Sequence, residues 1–164
     1  MIEIYTDGSY DTRTRHGGWA FVVFEGGSEA LNRSGLAIGH SSNSLEVLAV
    51  LQAALWARAK HPGEQINIWT DSFYVMEGVR RWLPIWRNNG WKKFDPNPRN
   101  RRRAAPDHII WQSLDAELAR TSLISIEWCK GHVGLTGNDR VDQLANVARA
   151  SIDKLGSSAS ANIA

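Results

Sequence analysis

The chain has 164 residues, 43% hydrophobic and 22% charged, with a formal net charge of +2 and one cysteine. That composition describes one domain with a full core. It excludes an intramolecular disulfide framework, and no apolar run approaches the roughly 20 residues that span a bilayer. The small net charge hides an asymmetry: residues 80–103 hold nine Lys/Arg and one acid, about +8, and the remainder ten bases and sixteen acids, about −6. A basic segment on an acidic body points to a polyanionic partner. No charged-then-apolar leader is visible at Met1-Ile2-Glu3, so a cytoplasmic monomer with no membrane association is expected.

Taken in order, Ile2-Glu3-Ile4-Tyr5-Thr6 alternates as a strand and runs into Asp7-Gly8-Ser9, a turn signal. Residues 17–24 and 30–38 read as the second and third strands of an antiparallel meander. Ser41-Ser42-Asn43-Ser44 opens a helix carrying Leu45, Leu48, Leu51, Leu55 and Ala59 at helical spacing, stopped by His61-Pro62-Gly63. The strand at 66–70 then follows a crossover helix and adds in parallel. A short helix follows over 72–78, with a second helical piece over 79–88 that contains Pro84. Residues 89–106 read as a long protruding loop. Residues 108–121 are helical with Ile109, Ile110, Trp111, Leu114 and Leu118 inward, 123–128 is the last strand, and 139–152 is the closing helix. One domain spans 1–155, with a basic protrusion at about 80–105 and a flexible tail at 156–164.

Five acids stand at element ends, and each has an ordinary explanation. Asp7 suits an Asp-Gly turn. Glu46 follows Asn43 by three residues, as in a capping box. Asp71 could cap a helix, and Asp139 and Asp142 suit the first turn of one. Their conjunction is not ordinary. The grammar Thr6-Asp7 recurs at Thr70-Asp71, which brings two carboxylates to one sheet edge, with acids from two helices nearby. Clustered like charges favour a cation. An all-oxygen set suits Mg²⁺, with Mn²⁺ as substitute, rather than zinc. Two such ions about 3.5–4 Å apart activate water against a phosphodiester.

These residues carry a resemblance. Tyr5-Thr6-Asp7-Gly8-Ser9, Gly17-Gly18, the stretch 43–49 around Glu46, and Thr70-Asp71-Ser72 with Tyr74-Val75 come in family order. The Trp-rich basic segment, Lys130-Gly131-His132, and Gly137-Asn138-Asp139-Arg140-Val141-Asp142 with Leu144-Ala145 complete it. Over about residues 1–152 the chain resembles ribonuclease H of type 1, the bacterial kind with a basic protrusion. The resemblance implies a ribonuclease H-like α/β fold: a five-stranded mixed sheet, order 3-2-1-4-5, strands 1–3 antiparallel, with helices on both faces. It implies a Mg²⁺-dependent endonuclease that hydrolyses the RNA strand of RNA/DNA hybrids, leaving 5′-phosphate and 3′-hydroxyl ends. Metal ligation falls to Asp7, Glu46, Asp71 and Asp142, and proton handling or product release to His132 on a glycine-rich loop. Two other readings stay open: another polynucleotidyl transferase or exonuclease on the same sheet, and a non-catalytic nucleic-acid-binding module.

For substrate binding, Trp82, Trp86 and Trp91 interleave with Arg80, Arg81, Arg87, Lys92 and Lys93. They read as a platform for sugars or bases beside phosphate-binding cations, with core packing as the alternative for at least one. Arg99, Arg101, Arg102 and Arg103 extend the positive field. Ser41, Ser42 and Asn43 match the family's polar stretch before the glutamate and suit contacts to 2′-hydroxyls and phosphates. Phe73 departs from the glutamine often found there, and Pro84-Ile85 from a usual polar residue.

Overall fold

The computed structural model describes residues 1–38, 41–93, 95–131 and 136–160, with side chains described through residue 151. Five strands, β1 (Ile2–Tyr10), β2 (His16–Glu25), β3 (Ser28–Ile38), β4 (Ile66–Thr70) and β5 (Ile124–Trp128), form one sheet. Its order is β3-β2-β1-β4-β5, with β1–β2 and β2–β3 antiparallel and β1–β4 and β4–β5 parallel. The expected sheet order and strand directions are met.

The helices cover both faces. α1 (Ser42–Lys60) lies across β1 and β2, packing Val47, Val50, Ala53, Ala54 and Ala57 onto Ile2, Ile4, Ile66 and Ile68. α5 (Thr136–Ser160) covers the other face, where Val141 and Ala145 meet Ala20 and Val22. Strands buried on both faces by two helices account for the apolar run Ala20–Val23. α4 (His108–Ala119) packs on α1 and inserts Trp111 and Leu114 into the core. Ile109 is not inward as expected: it is 68% exposed. It lies two residues from Trp111, about 200° around the helix.

Several boundaries differ from the sequence reading. β1 does not end at Asp7-Gly8-Ser9 but continues through Tyr10, paired with Gly17. Gly8 serves a close approach instead of a turn, since a Cβ there would lie 2.6 Å from the Glu46 nitrogen. α1 is capped by Ser41, whose hydroxyl accepts from the Ser44 N–H at 3.1 Å while the Ser41 N–H donates back to Ser44 Oγ at 3.2 Å. The Asn43–Glu46 capping box therefore does not form, and Glu46 is left for another purpose.

After β4, Ser72 caps α2 (Phe73–Glu77), accepting from the Val75 N–H. A π-helical turn (Gly78–Trp82) then leads into α3 (Leu83–Asn89), with Pro84 in its first turn. The widened turn accommodates the proline, which would clash with the carbonyl four residues back in a continuous α-helix. At Gly78 the turn lies against the Trp111 indole, where a Cβ would meet ring carbon at 2.0 Å.

The segment expected as a long protruding loop has a stapled base. The Lys93 N–H donates to the Arg103 carbonyl and the Ala105 N–H to the Trp91 carbonyl, and Ala105 is buried in the core. A 3₁₀ turn (Asn100–Arg102) precedes the returning segment of that base. α5 begins three residues before and continues beyond the expected limits, through residue 160, because extending an existing helix is easy. Gly156, where the tail was expected to begin, thus lies within the helical span, and residues 161–164 lie outside the described ones. Among the described residues, no helix is long and apolar enough to cross a membrane.

Candidate metal centre and nucleic-acid interface

The parallel register of β1 and β4 makes the centre. Ile2 faces Ile66 and Tyr5 faces Trp69; carried forward residue for residue, Asp7 comes level with Asp71. Thr6 and Thr70 are buried and anchor this edge. Thr6 Oγ1 donates to the Trp69 carbonyl at 3.0 Å, and Thr70 Oγ1 accepts from the Ser72 N–H at 3.2 Å. The repeated Thr-Asp grammar thus has a reason: the hydroxyl satisfies backbone groups at the strand end, and the next side chain projects from the edge.

Glu46 arrives from the first turn of α1 because Gly8 lets that turn lie directly against β1. One carboxylate oxygen each from Asp7, Glu46 and Asp71 lie within 4.8 Å of one another. Asp142, on α5, is not part of that group of three but stands close enough for its charge to act on Asp7. Its Oδ1 and carbonyl both accept from Asn146 Nδ2 at 3.0 Å, and Asn146 in turn accepts from Ser9 Oγ at 2.6 Å. Asp71 is held by Asn138, which donates from Nδ2 at 3.3 Å. Gly131 closes over Asp71, where a Cβ would stand 2.3 Å from Oδ2.

The cluster is electrostatically frustrated on its own. Asp7 is 9% exposed. Burial first, then the charge of Asp71, push its carboxyl up to about 7, against the Gly8 N–H that stabilises the anion. Burial, with Asp7 and Asp71 beside it, also raises Glu46 well above the usual carboxylate range. Glu46 Oε2 is buried with no hydrogen-bond partner among the described residues. A buried carboxylate oxygen without a donor, among like charges, fits a bound cation. The donor set is oxygen only; the nearby Cys129 thiol is buried and raised to about 11, chiefly by that burial, so it offers no thiolate. The residues fit a hard divalent ion.

His132 lies outside the described residues. Ser41 spends its hydroxyl on the helix cap, while Ser42 and Asn43 are exposed on the first turn of α1. Trp86 is not an open platform: it is 6% exposed and packs on Trp82, Trp91 and Trp111. Trp82 is half-buried and, with Tyr74, Trp86, Lys93, Asp95 and Pro106, lines a pocket of about 310 Å³. Trp91, also half-buried, packs against the same core. Lys92, Arg99, Arg101, Arg102 and Arg103 are exposed and Lys93 is half-buried.

These cations divide into two groups. Arg101 donates to the Asp95 and Pro96 carbonyls at 2.7 and 2.8 Å and so builds the loop. Arg81 pairs with Glu77 and Arg87 with Asp115. Lys92, Lys93, Arg99, Arg102 and Arg103 have no ion pair among the described residues, which leaves them available for phosphates.

The sequence reading missed Asn138 and Asn146, which orient the carboxylates. Asn146 had a signal, since it stands four residues after Asp142 and shares its helix face. The contact from Asn138 to Asp71 spans 67 residues and had no such local signal.

Comparison with known proteins points in one direction. Residues 1–150 match the sequence model of the family described as RNase H. The chain is 35% identical to Ribonuclease HI of Pseudomonas aeruginosa over 147 residues, 89% of this chain and 91% of the relative. It is 37% identical to Ribonuclease H of Cupriavidus necator over 145 residues, covering 88% and 92%. Among solved structures, the PFV RNase H domain superposes with a TM-score of 0.74 at 27% identity, covering 92% of this chain and 94% of that one. A foamy viral protease-reverse transcriptase, solved with an RNA/DNA hybrid, shares the fold at a TM-score of 0.77 and 23% identity, covering 92% of this chain and 20% of that one.

Proposed function

The chain belongs to the RNase H family, and from that premise we propose that this hydrolytic nuclease cuts the RNA strand of RNA/DNA hybrids endonucleolytically. The observation that carries the reading is the carboxylate cluster Asp7–Glu46–Asp71, with Asp142 beside it and one buried glutamate oxygen that has no donor among the described residues. Asp7, Glu46, Asp71 and Asp142 would hold divalent ions, Mg²⁺ with Mn²⁺ as substitute. When bound, such ions supply Lewis acidity toward a phosphodiester and lower the pKa of water. The chain's own contribution is placement. The strand register sets Asp7 against Asp71, Asn138 and Asn146 fix carboxylate orientation, and the Gly8 contact delivers Glu46. Water attacks phosphorus, the bond to the 3′-oxygen breaks, and the products carry a 5′-phosphate and a 3′-hydroxyl. His132 handles a proton or aids product release in this scheme.

Substrate is held by sugar and phosphate contacts rather than base reading. Ser42 and Asn43, with Ser41 at the cap, stand next to Glu46 in sequence, where the strand to be cut must lie. Lys92, Lys93, Arg99, Arg102 and Arg103 meet phosphates beside the pocket that Trp82 and Trp86 line, with Trp91 and Arg101 shaping that segment. All four carboxylates come from one chain, which supports a monomer as the working unit. The single buried cysteine suits a reducing cytoplasm.

The test is cleavage of a uniform hybrid labelled on either strand, with Mg²⁺ and with EDTA, beside Asp71→Asn. Metal-dependent internal cuts in RNA alone, lost in the variant, are expected. A circular hybrid left intact would favour an exonuclease, and binding without cutting would favour a non-catalytic module.

A further inference from the structure

The acidic centre has an aromatic neighbour that the proposed reaction does not use. Phe73, the first residue of α2, is 71% exposed, and Trp128, the last of β5, is 40% exposed. Their rings stack with centroids 5.5 Å apart and planes 30° apart. With Met76, Glu77, Arg80 and Glu127 they line a cleft of about 430 Å³, a size typical of ligand sites.

The shelf is continuous with the carboxylates. Phe73 follows Asp71 by two residues. Trp128 leads through Cys129, whose N–H donates to the Thr70 carbonyl, to Gly131 against Asp71. The ends of β4 and β5 therefore hold both features together. Its charge also suits nucleic acid: Arg81 takes Glu77 at 3.0 Å, whereas Arg80 has no ion pair among the described residues, and Lys130 is exposed nearby in sequence.

We propose that the Phe73–Trp128 shelf stacks an unpaired nucleobase of the RNA strand that adjoins the hybrid being cut. This rests on the hybrid-nuclease reading. A base within a duplex has both faces covered by its neighbours, so an unpaired base is the one able to extend an aromatic stack. Arg80 supplies a cation for the attached phosphate. Glu127 offers an acceptor to an exocyclic amine. The RNA strand is the occupant because Asp71, two residues from Phe73, belongs to the centre proposed to cut RNA.

The experiment measures binding by fluorescence anisotropy in EDTA at fixed salt. The probes are a flush hybrid, the same hybrid with a short oligoadenosine extension on either end of its RNA strand, and one with a deoxyadenosine extension on its DNA strand. An RNA extension at one end should tighten binding about tenfold over the flush hybrid. Phe73→Ala should remove that gain and Phe73→Tyr should keep it. Equal affinity for flush and extended hybrids, a gain that survives Phe73→Ala, or an equal gain from the DNA extension would overturn the proposal. Cleavage of the flush hybrid with Mg²⁺, run in parallel, reads the nuclease proposal separately, since the binding gain is measured without metal.

Discussion

The two charged regions of this protein are built on opposite principles. The carboxylates are buried (Asp7) or half-buried (Glu46, Asp71, Asp142), mutually repelling and held by backbone register and asparagine side chains. The cations of residues 92–103 are largely exposed, and several have no ion pair among the described residues. The first arrangement stores unfavourable electrostatics in a partly desolvated site, where a cation gains more than in open water. The second places charge in water, where it contributes little to stability and acts through the salt-dependent attraction of a polyanion. In the proposed function, chemistry is concentrated where strand register and helix contacts fix the side chains, and affinity is spread over a loop.

The strongest way to break this contrast is at the centre. Asp71→Asn should lower hybrid cleavage by about a thousandfold or more while leaving hybrid affinity in EDTA within about threefold. Comparable losses in both would mean that the carboxylate acts in binding or folding.

Gly8→Ala comes next. A Cβ at 2.6 Å from the backbone of α1 must push the helix off β1, so a loss on the order of 2–4 kcal/mol is expected in urea unfolding. A neutral substitution would show that α1 does not depend on this contact to present Glu46.

pH sharpens the comparison. The Asp7 carboxyl, raised to about 7, keeps its proton in the folded chain where the unfolded chain has lost it. The folded state then binds more protons, so this contribution to stability is present below about pH 4 and is lost as pH rises through about 7. Metal-free protein should melt several degrees lower at pH 8 than at pH 5, and Mg²⁺ at pH 8 should restore the difference. Asp7→Asn should flatten the profile. A rising or flat profile in the unmutated protein would remove the frustrated-cluster picture.

Asn146→Ala should weaken Mg²⁺ affinity by roughly ten- to a hundredfold, read from the metal dependence of the melting temperature. The smallest effects belong to the exposed cations. Replacing Arg99, Arg102 and Arg103 by Ala should reduce the slope of log K against log salt by about two to three, with a melting temperature nearly unchanged. Arg101→Ala should instead loosen the loop and change that slope less. Equal effects from all four would erase the division drawn from the Arg101 contacts.

Much of this was readable in the chain itself. Alternation at 2–6 and 66–70 specified strands, the apolar spacing from Leu45 specified α1, and the Thr-Asp repeat marked two carboxylates for one edge. Such patterns are legible because burial repeats with the period of the element. Family likeness separated Asp142 from Asp139, which the sequence reading put in one helix start; in the structure only Asp139 stands in the first turn of α5, which begins at Thr136. What escaped was set by contacts distant in sequence. Gly8 reads as a turn and is a contact with α1. Trp86 reads as a platform and is core, because Trp111, 25 residues on, packs against it. Arg101 reads as one of four equivalent arginines and is the one tied to the Asp95 and Pro96 carbonyls. The sequence by itself determined which elements form and which side chains could carry the chemistry, since local periodicity and residue type act over a few residues. Only the tertiary structure decided which of them are dry, which are crowded and which remain free, because desolvation and charge coupling depend on neighbours that the chain brings together only when it folds.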